Sequence, residues 1–177
     1  MKCHGGADLK TSTQENVEAL DKGIVNLERH VENVQKHYGI PCVVSINKFT
    51  SDTKAELDLL YSRMAKLGVP VVLATHWGEG GKGAAELAKI VVGLCDQPSG
   101  FQFVYDESDS LWDKMNKIAK KIYRASDVTA DTKVRNQIKK LQEDGYGHYP
   151  VCVAKTQSSF STDASVRGAP VNHVVNV

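Results

Sequence analysis

One layout occurs twice in this chain and restricts it to few folds: an apolar run ends in polar loop residues that open a helix. The first copy is Val43-Val44-Ser45-Ile46-Asn47-Lys48-Phe49-Thr50-Ser51-Asp52-Thr53. Asp52 and Thr53 are good N-cap residues, and Thr53-x-x-Glu56 fits a capping box. The second is Val69-Pro70-Val71-Val72-Leu73-Ala74-Thr75-His76-Trp77, followed by glycines and another helical pattern. A large aromatic, Phe49 or Trp77, stands just past each expected strand. In open parallel sheets, ligands bind outside the carboxyl ends of the strands. Two aromatics at that edge point to the walls of a slot for a flat ligand, with core aromatics as the alternative.

The surrounding pattern supports an α/β fold. Val17, Leu20, Ile24, Leu27, Val31 and Val34 form one apolar stripe, which predicts a helix from about Gln14 to Tyr38, with Thr13 as N-cap and Gly39 as its stop. A strand over Ile40–Ile46, covered on both faces, is expected next. A helix follows over Thr53–Leu67 with Gly68 as its stop, then the second strand, then a helix over Ala84–Cys95. Helix, strand, helix, strand, helix is the order of a doubly wound parallel sheet. Asp96-Gln97-Pro98-Ser99-Gly100 breaks it, so the expected division is 1–100 and 101–177. The second part reads as a smaller α+β region. It has strands at Phe101–Tyr105, Tyr149–Ala154 and Val171–Val177, a helix capped by Ser110, another over Asp131–Glu143, and a polar loop over Lys155–Ala169. The chain opens on a glycine loop and stops within a strand-like run, so a piece of a longer chain is expected.

A formal net charge of +1 offers no field that would select nucleic acid or an anionic membrane. Apolar content of 41% with 24% charged residues is that of an ordinary globular chain. The cysteines at 3, 42, 95 and 152 have no C-x-x-C spacing, and free, buried thiols in a reducing compartment are expected. No apolar stretch is long enough for a membrane span and no signal peptide is visible, which predicts a cytoplasmic setting, or an organellar one.

Several motifs compete for the functional reading. Gly78-x-Gly80-x-x-Gly83 follows a strand and opens a helix, as a dinucleotide fingerprint does, so an NAD(P)-binding oxidoreductase module is one alternative. Against it, Thr75-His76-Trp77 intervenes where a tight turn is needed. Asn47-Lys48 lacks the Asp two residues on that a guanine-reading motif requires. Gly81-Lys82 is followed by Gly83, not Ser or Thr, so no triphosphate loop is present. His76 reads as a loop histidine, His30 and His37 as exposed helix residues, and Cys152 near His148 as a buried thiol, not a nucleophile. No catalytic residue or metal ligand is assigned. A non-catalytic interaction fragment is the other alternative.

Longer stretches carry a family resemblance. Lys2-Cys3-His4-Gly5-Gly6, Glu15-Asn16 with His30-Val31-Glu32-Asn33, and Ile46-Asn47-Lys48-Phe49 with Asp52-Thr53 are the first. Trp77 with its glycines, Gly145-Tyr146-Gly147, Pro150, Ala154-Lys155-Thr156-Gln157 and Ser159-Phe160-Ser161 complete the set. Together, and in order over essentially all 177 residues, they resemble formate–tetrahydrofolate ligase. The resemblance implies part of a P-loop NTPase-like α/β domain followed by a smaller region. It also implies an ATP- and Mg2+-dependent synthesis of formyl phosphate from formate, captured by tetrahydrofolate as 10-formyltetrahydrofolate. By this resemblance the phosphate loop lies in a part of the enzyme preceding these residues, so the 177 residues alone are expected to be inactive. Phe49 and Trp77 match the aromatics that sandwich the folate ring, Leu73 matches a neighbouring wall residue, and Pro170 and Asn172 match the region near the nucleotide base. Val171 and His173 depart from the family pattern. The implied partners are these small-molecule substrates, in a homo-oligomeric parent enzyme that is cytoplasmic or, in eukaryotes, also mitochondrial.

Overall fold

A computed structural model describes residues 1–154 and 158–177, and it divides into two compact units, Met1–Phe101 and Gln102–Val177. The chain is mixed α/β: among the described residues, each unit carries one two-stranded parallel sheet.

In the first unit, Asn16 and not Thr13 caps the opening helix, its side chain accepting from the Ala19 N–H at 2.9 Å. The Asn16 N–H is itself taken by the Glu56 carboxylate at 2.8 Å. That long-range bond fixes the helix start three residues later than the local pattern indicates. The expected single helix is three pieces: α1 (Val17–Gly23), α2 (Val25–Glu32) and a wider π-type turn over Asn33–His37. Gly23 marks a close approach, since a Cβ there would lie 2.2 Å from the Met1 carbonyl oxygen. Leu20, Ile24 and Val31 of the apolar stripe are buried as their spacing requires, whereas Val17 is exposed.

β1 (Val44–Asn47) is followed by α3 (Lys54–Lys66) and β2 (Val71–Ala74), a strand–helix–strand unit whose parallel register runs from Val44–Val71 to Asn47–Ala74. The capping box forms. Thr53 Oγ1 accepts from the Glu56 N–H, and the Glu56 carboxylate returns to the Thr53 backbone N–H. Thr53→Ala should therefore cost about 1 kcal/mol of stability, read from a urea titration. Leu20, Ile24, Val31, Val44, Leu60, Met64 and Val69 make one core cluster. Gly39 and Gly68 both have φ near +67° and stop the helical segments, as expected. β1 is covered on one face only: Val44 is buried, Ser45 and Asn47 are exposed. The last helix, α5 (Ala85–Cys95), buries no residue fully, and its Val91 and Val92 are exposed.

In the second unit, Ser110 caps α6 (Leu111–Lys121) by accepting from the Asp113 N–H at 3.1 Å. A strand the sequence did not disclose, β3 (Asp127–Thr129), packs against α6 and pairs in parallel with β4 (Val174–Asn176). α7 (Thr132–Glu143), capped by Asp131, lies between them in the chain, and its Arg135 sits over the Trp112 ring at 4.5 Å. Ile118, Tyr123, Val128, Phe160 and Val175 are buried, with Tyr123 and Phe160 in an edge-to-face pair.

The expected strands at Phe101–Tyr105 and Tyr149–Ala154 do not form. Side chains take the backbone groups that a ladder would use. The Val151 N–H donates to the Tyr105 hydroxyl at 3.0 Å, and the buried Lys114 ammonium donates to the carbonyls of Gly147 and Tyr149 at 2.8 and 3.1 Å. Val171–Val177 shortens to the three residues of β4. The expected polar loop over Lys155–Ala169 is described from Ser158 onward; Lys155, Thr156 and Gln157 lie outside the described residues. Cys95 and Cys152 are exposed, not buried, because α5 lacks cover and residue 152 is not in a strand. No helix among the described residues is long and apolar enough to cross a membrane.

Candidate functional site

The parallel pairing of β1 and β2 brings their carboxyl ends side by side. The Lys48 N–H still donates to the Ala74 carbonyl at 3.1 Å, one residue past the ladder. Beyond that point the chains separate and leave a cleft of about 550 Å³. It is lined by Asn47, Lys48, Phe49 and Thr50 from one side and by Ala74 through Glu79 from the other.

Each wall is held by local chemistry. After β1, the Phe49 N–H donates to Asp52 Oδ2 at 2.8 Å and the Asp52 N–H returns to the Phe49 carbonyl at 3.1 Å, which closes a turn and presents the phenyl ring. After β2, a single helical turn, α4 (His76–Glu79), carries Trp77. The Thr75 hydroxyl donates to Glu79 Oε2 at 2.6 Å, so the residue that precedes this turn is tied to its last residue. Phe49 is 66% exposed and Trp77 is 91% exposed. Burying large aromatics is favourable, so two left this exposed on the lining of one cleft are not core residues of this unit.

The glycine run does not make a dinucleotide turn. α4 stands between β2 and the glycines, and Gly80–Ala84 is a short 3-10 turn leading to α5. Gly83 has a packing role. Its carbonyl accepts from the Thr75 N–H at 3.0 Å, and a Cβ on Gly83 would lie 2.4–2.7 Å from Thr75 and His76 atoms. Gly83→Ala should cost about 1–3 kcal/mol by overpacking and should displace the turn that carries Trp77. A shifted emission maximum of that tryptophan, in a Trp112→Phe background, checks it.

Of the residues expected at the slot, the structure brings together Phe49 and Trp77. Leu73 lies one residue back, half-buried, on the strand face it shares with Val71 and Ile46. Pro170 and Asn172 belong to the second unit, just before β4. Asn172 adopts a left-handed φ of 59°, its N–H donating to the carbonyl of Arg124, which is also left-handed at 57°. Both ring nitrogens of His173 are buried without a hydrogen-bond partner among the described residues. Lys48, Thr75, His76 and Glu79 also line the cleft. Of these, Thr75 and Glu79 escaped the sequence reading, although their four-residue spacing matches one helical turn. His30 is exposed and His37 half-buried. No group of three or more His, Cys, Asp or Glu side chains suited to a metal ion occurs among the described residues.

The family model described as formate–tetrahydrofolate ligase matches residues 1–177. The chain belongs to the formate–tetrahydrofolate ligase family. It is 59% identical to the formate–tetrahydrofolate ligase of Methylibium petroleiphilum over 181 residues, which take in 100% of this chain and 32% of that protein. It is 53% identical to the enzyme of that name from Methylobacillus flagellatus, with 100% and 32% covered. With that of Pelagibacter ubique the identity is 50%, with 98% and 31% covered. The chain thus spans about a third of the length of the curated relatives it matches. Family membership displaces the oxidoreductase alternative, which rested on the glycine run alone. The cleft past the carboxyl ends of β1 and β2, with two exposed aromatics in its lining, lies within this ligase-family segment.

Proposed function

We propose that this chain supplies the folate-stacking slot of an ATP-dependent ligase that forms 10-formyltetrahydrofolate from formate and tetrahydrofolate by way of formyl phosphate. The observation that carries the reading is the cleft at the carboxyl ends of β1 and β2, with the exposed Phe49 and Trp77 on its walls. In this reading the pteridine lies between the two ring faces, and Leu73 backs the slot from behind β2. Stacking fixes the plane of the pteridine, so the attacking amine is presented in one orientation and loses little further freedom in the reaction. Thr75 and Glu79 hold the Trp77 turn in place.

β1 and β2 are, in the same reading, two strands of a larger doubly wound, P-loop-type parallel sheet. The domain division follows the break near residue 100, and Pro170 and Asn172 in the second unit face the nucleotide base. ATP enters with Mg2+ on its phosphates, and no step at the phosphates is assigned to these 177 residues. The setting is cytoplasmic and the parent enzyme a homo-oligomer. Titration of the full-length ligase with tetrahydrofolate and, separately, with NAD tests the reading. Saturable folate binding that quenches tryptophan emission is expected, with no response to NAD. NAD binding without folate binding would return the site to the dinucleotide class.

A further inference from the structure

A second groove, of about 320 Å³, lies in the first unit and is lined by residues on both sides of a chain crossing. Pro41, Cys42 and Val43 lead into β1, while Val91, Leu94, Cys95, Gln97 and Ser99 end α5 and follow it. The crossing is tightly fixed. Tyr38 and Phe101 stack nearly parallel with ring centres 6.5 Å apart, and a Cβ on Gly39 would lie 2.2 Å from the Gly100 carbonyl oxygen. Residues 38 and 39 therefore lie against 101 and 100. Three residues beyond Gly39, Cys42 lines the same groove as Cys95. No disulfide joins the two cysteines; Cys95 is exposed and Cys42 half-buried.

From this shared groove we propose that Cys42 and Cys95 form a dithiol site that reacts with small disulfides of the glutathione class and closes into an intramolecular bridge. The exposed Cys95 thiolate attacks one sulfur of oxidised glutathione. That S–S bond breaks, a mixed disulfide forms on Cys95, and one glutathione thiolate leaves. The Cys42 thiolate then attacks Cys95 Sγ and expels the second glutathione. Two protein thiols give up two protons and two electrons, and one glutathione disulfide becomes two thiols. Burial pushes the Cys42 thiol above its usual pKa, so the exposed Cys95 is the first thiol to react. The bridge would staple the end of α5 to the lead-in of β1, at the opposite end of that strand from the aromatic cleft. The proposal does not depend on the folate reading.

The test is to incubate the full chain with oxidised glutathione, quench with iodoacetamide and map the cysteine peptides by mass spectrometry. A Cys42–Cys95 linked peptide, lighter by two hydrogens, is expected in the wild type. In Cys42→Ser, the glutathione adduct on Cys95 should accumulate instead of being consumed. Equal adduct on Cys95 in both proteins, a link from Cys95 to Cys3 or Cys152, or an unreactive Cys95 would each overturn the proposal. The wild-type map stands by itself if the variant folds poorly.

Discussion

Replacing Trp77 by Ala in the ligase is expected to raise the tetrahydrofolate KM by about ten- to hundredfold, from roughly 1–3 kcal/mol of lost stacking. Phe49→Ala should act similarly. Trp77 has little to lose elsewhere: it is 91% exposed, so truncation removes ring surface offered to the cleft and almost no core packing. Trp77→Phe keeps a stacking face and should cost less than the Ala change. The ATP KM should hardly move, because neither aromatic is assigned to the phosphates or the base. The two residues line one cleft, so their double mutant should fall short of the product of the single effects if both grip one ring. Steady-state kinetics with each substrate varied in turn decides the matter. An intact folate constant in Trp77→Ala, or a defect confined to ATP, would remove the slot from this cleft.

The largest stability effect is expected at Glu56. This carboxylate is buried at 4% exposure and joins three parts of the first unit. It accepts from the Lys2 ammonium at 2.9 Å and the Asn16 N–H at 2.8 Å, and it closes the Thr53 box at the start of α3. Glu56→Ala would leave the Lys2 ammonium, 14% exposed, without this partner and would free the amide that fixes the start of α1. Breaking a buried pair from one side costs about 3–5 kcal/mol. Burial alone would raise the Glu56 pKa, but the Asn16 amide, the Lys2 ammonium and the Thr53 amide outweigh it and hold the carboxyl below the ordinary glutamate value. Its contribution is therefore fully present above the unfolded-state pKa of about 4.3 and is lost as pH falls through the lower folded value. Urea titrations of wild type and Glu56→Gln should show a clear gap at neutral pH that narrows only below about pH 4–5. A gap that is constant with pH would mean the carboxylate charge contributes nothing.

The sequence by itself determined the features whose chemistry is local. Thr53 and Ser110 cap helices because each side chain needs only an N–H three residues ahead. Gly39 and Gly68 stop helical segments because only glycine adopts the left-handed turn without strain. The strand–helix–strand order, and the aromatics just past both strands, were legible because apolar runs and cap residues alternate within a few positions. Tertiary structure decided whatever depends on a distant group. Lys114 and the Tyr105 hydroxyl occupy the backbone near 147–151, so a β-prone run remains irregular. Glu56 captures Asn16 from 40 residues away and moves a helix start that the stripe alone sets earlier. β3 is a strand because Val174–Asn176 lies beside it, and its three residues have no local pattern to announce that. The cleft has the same origin. Position past a strand exposes an aromatic to solvent, but only the parallel pairing of β1 with β2, and the seat that Gly83 gives Thr75, bring Phe49 and Trp77 to opposite sides of one space.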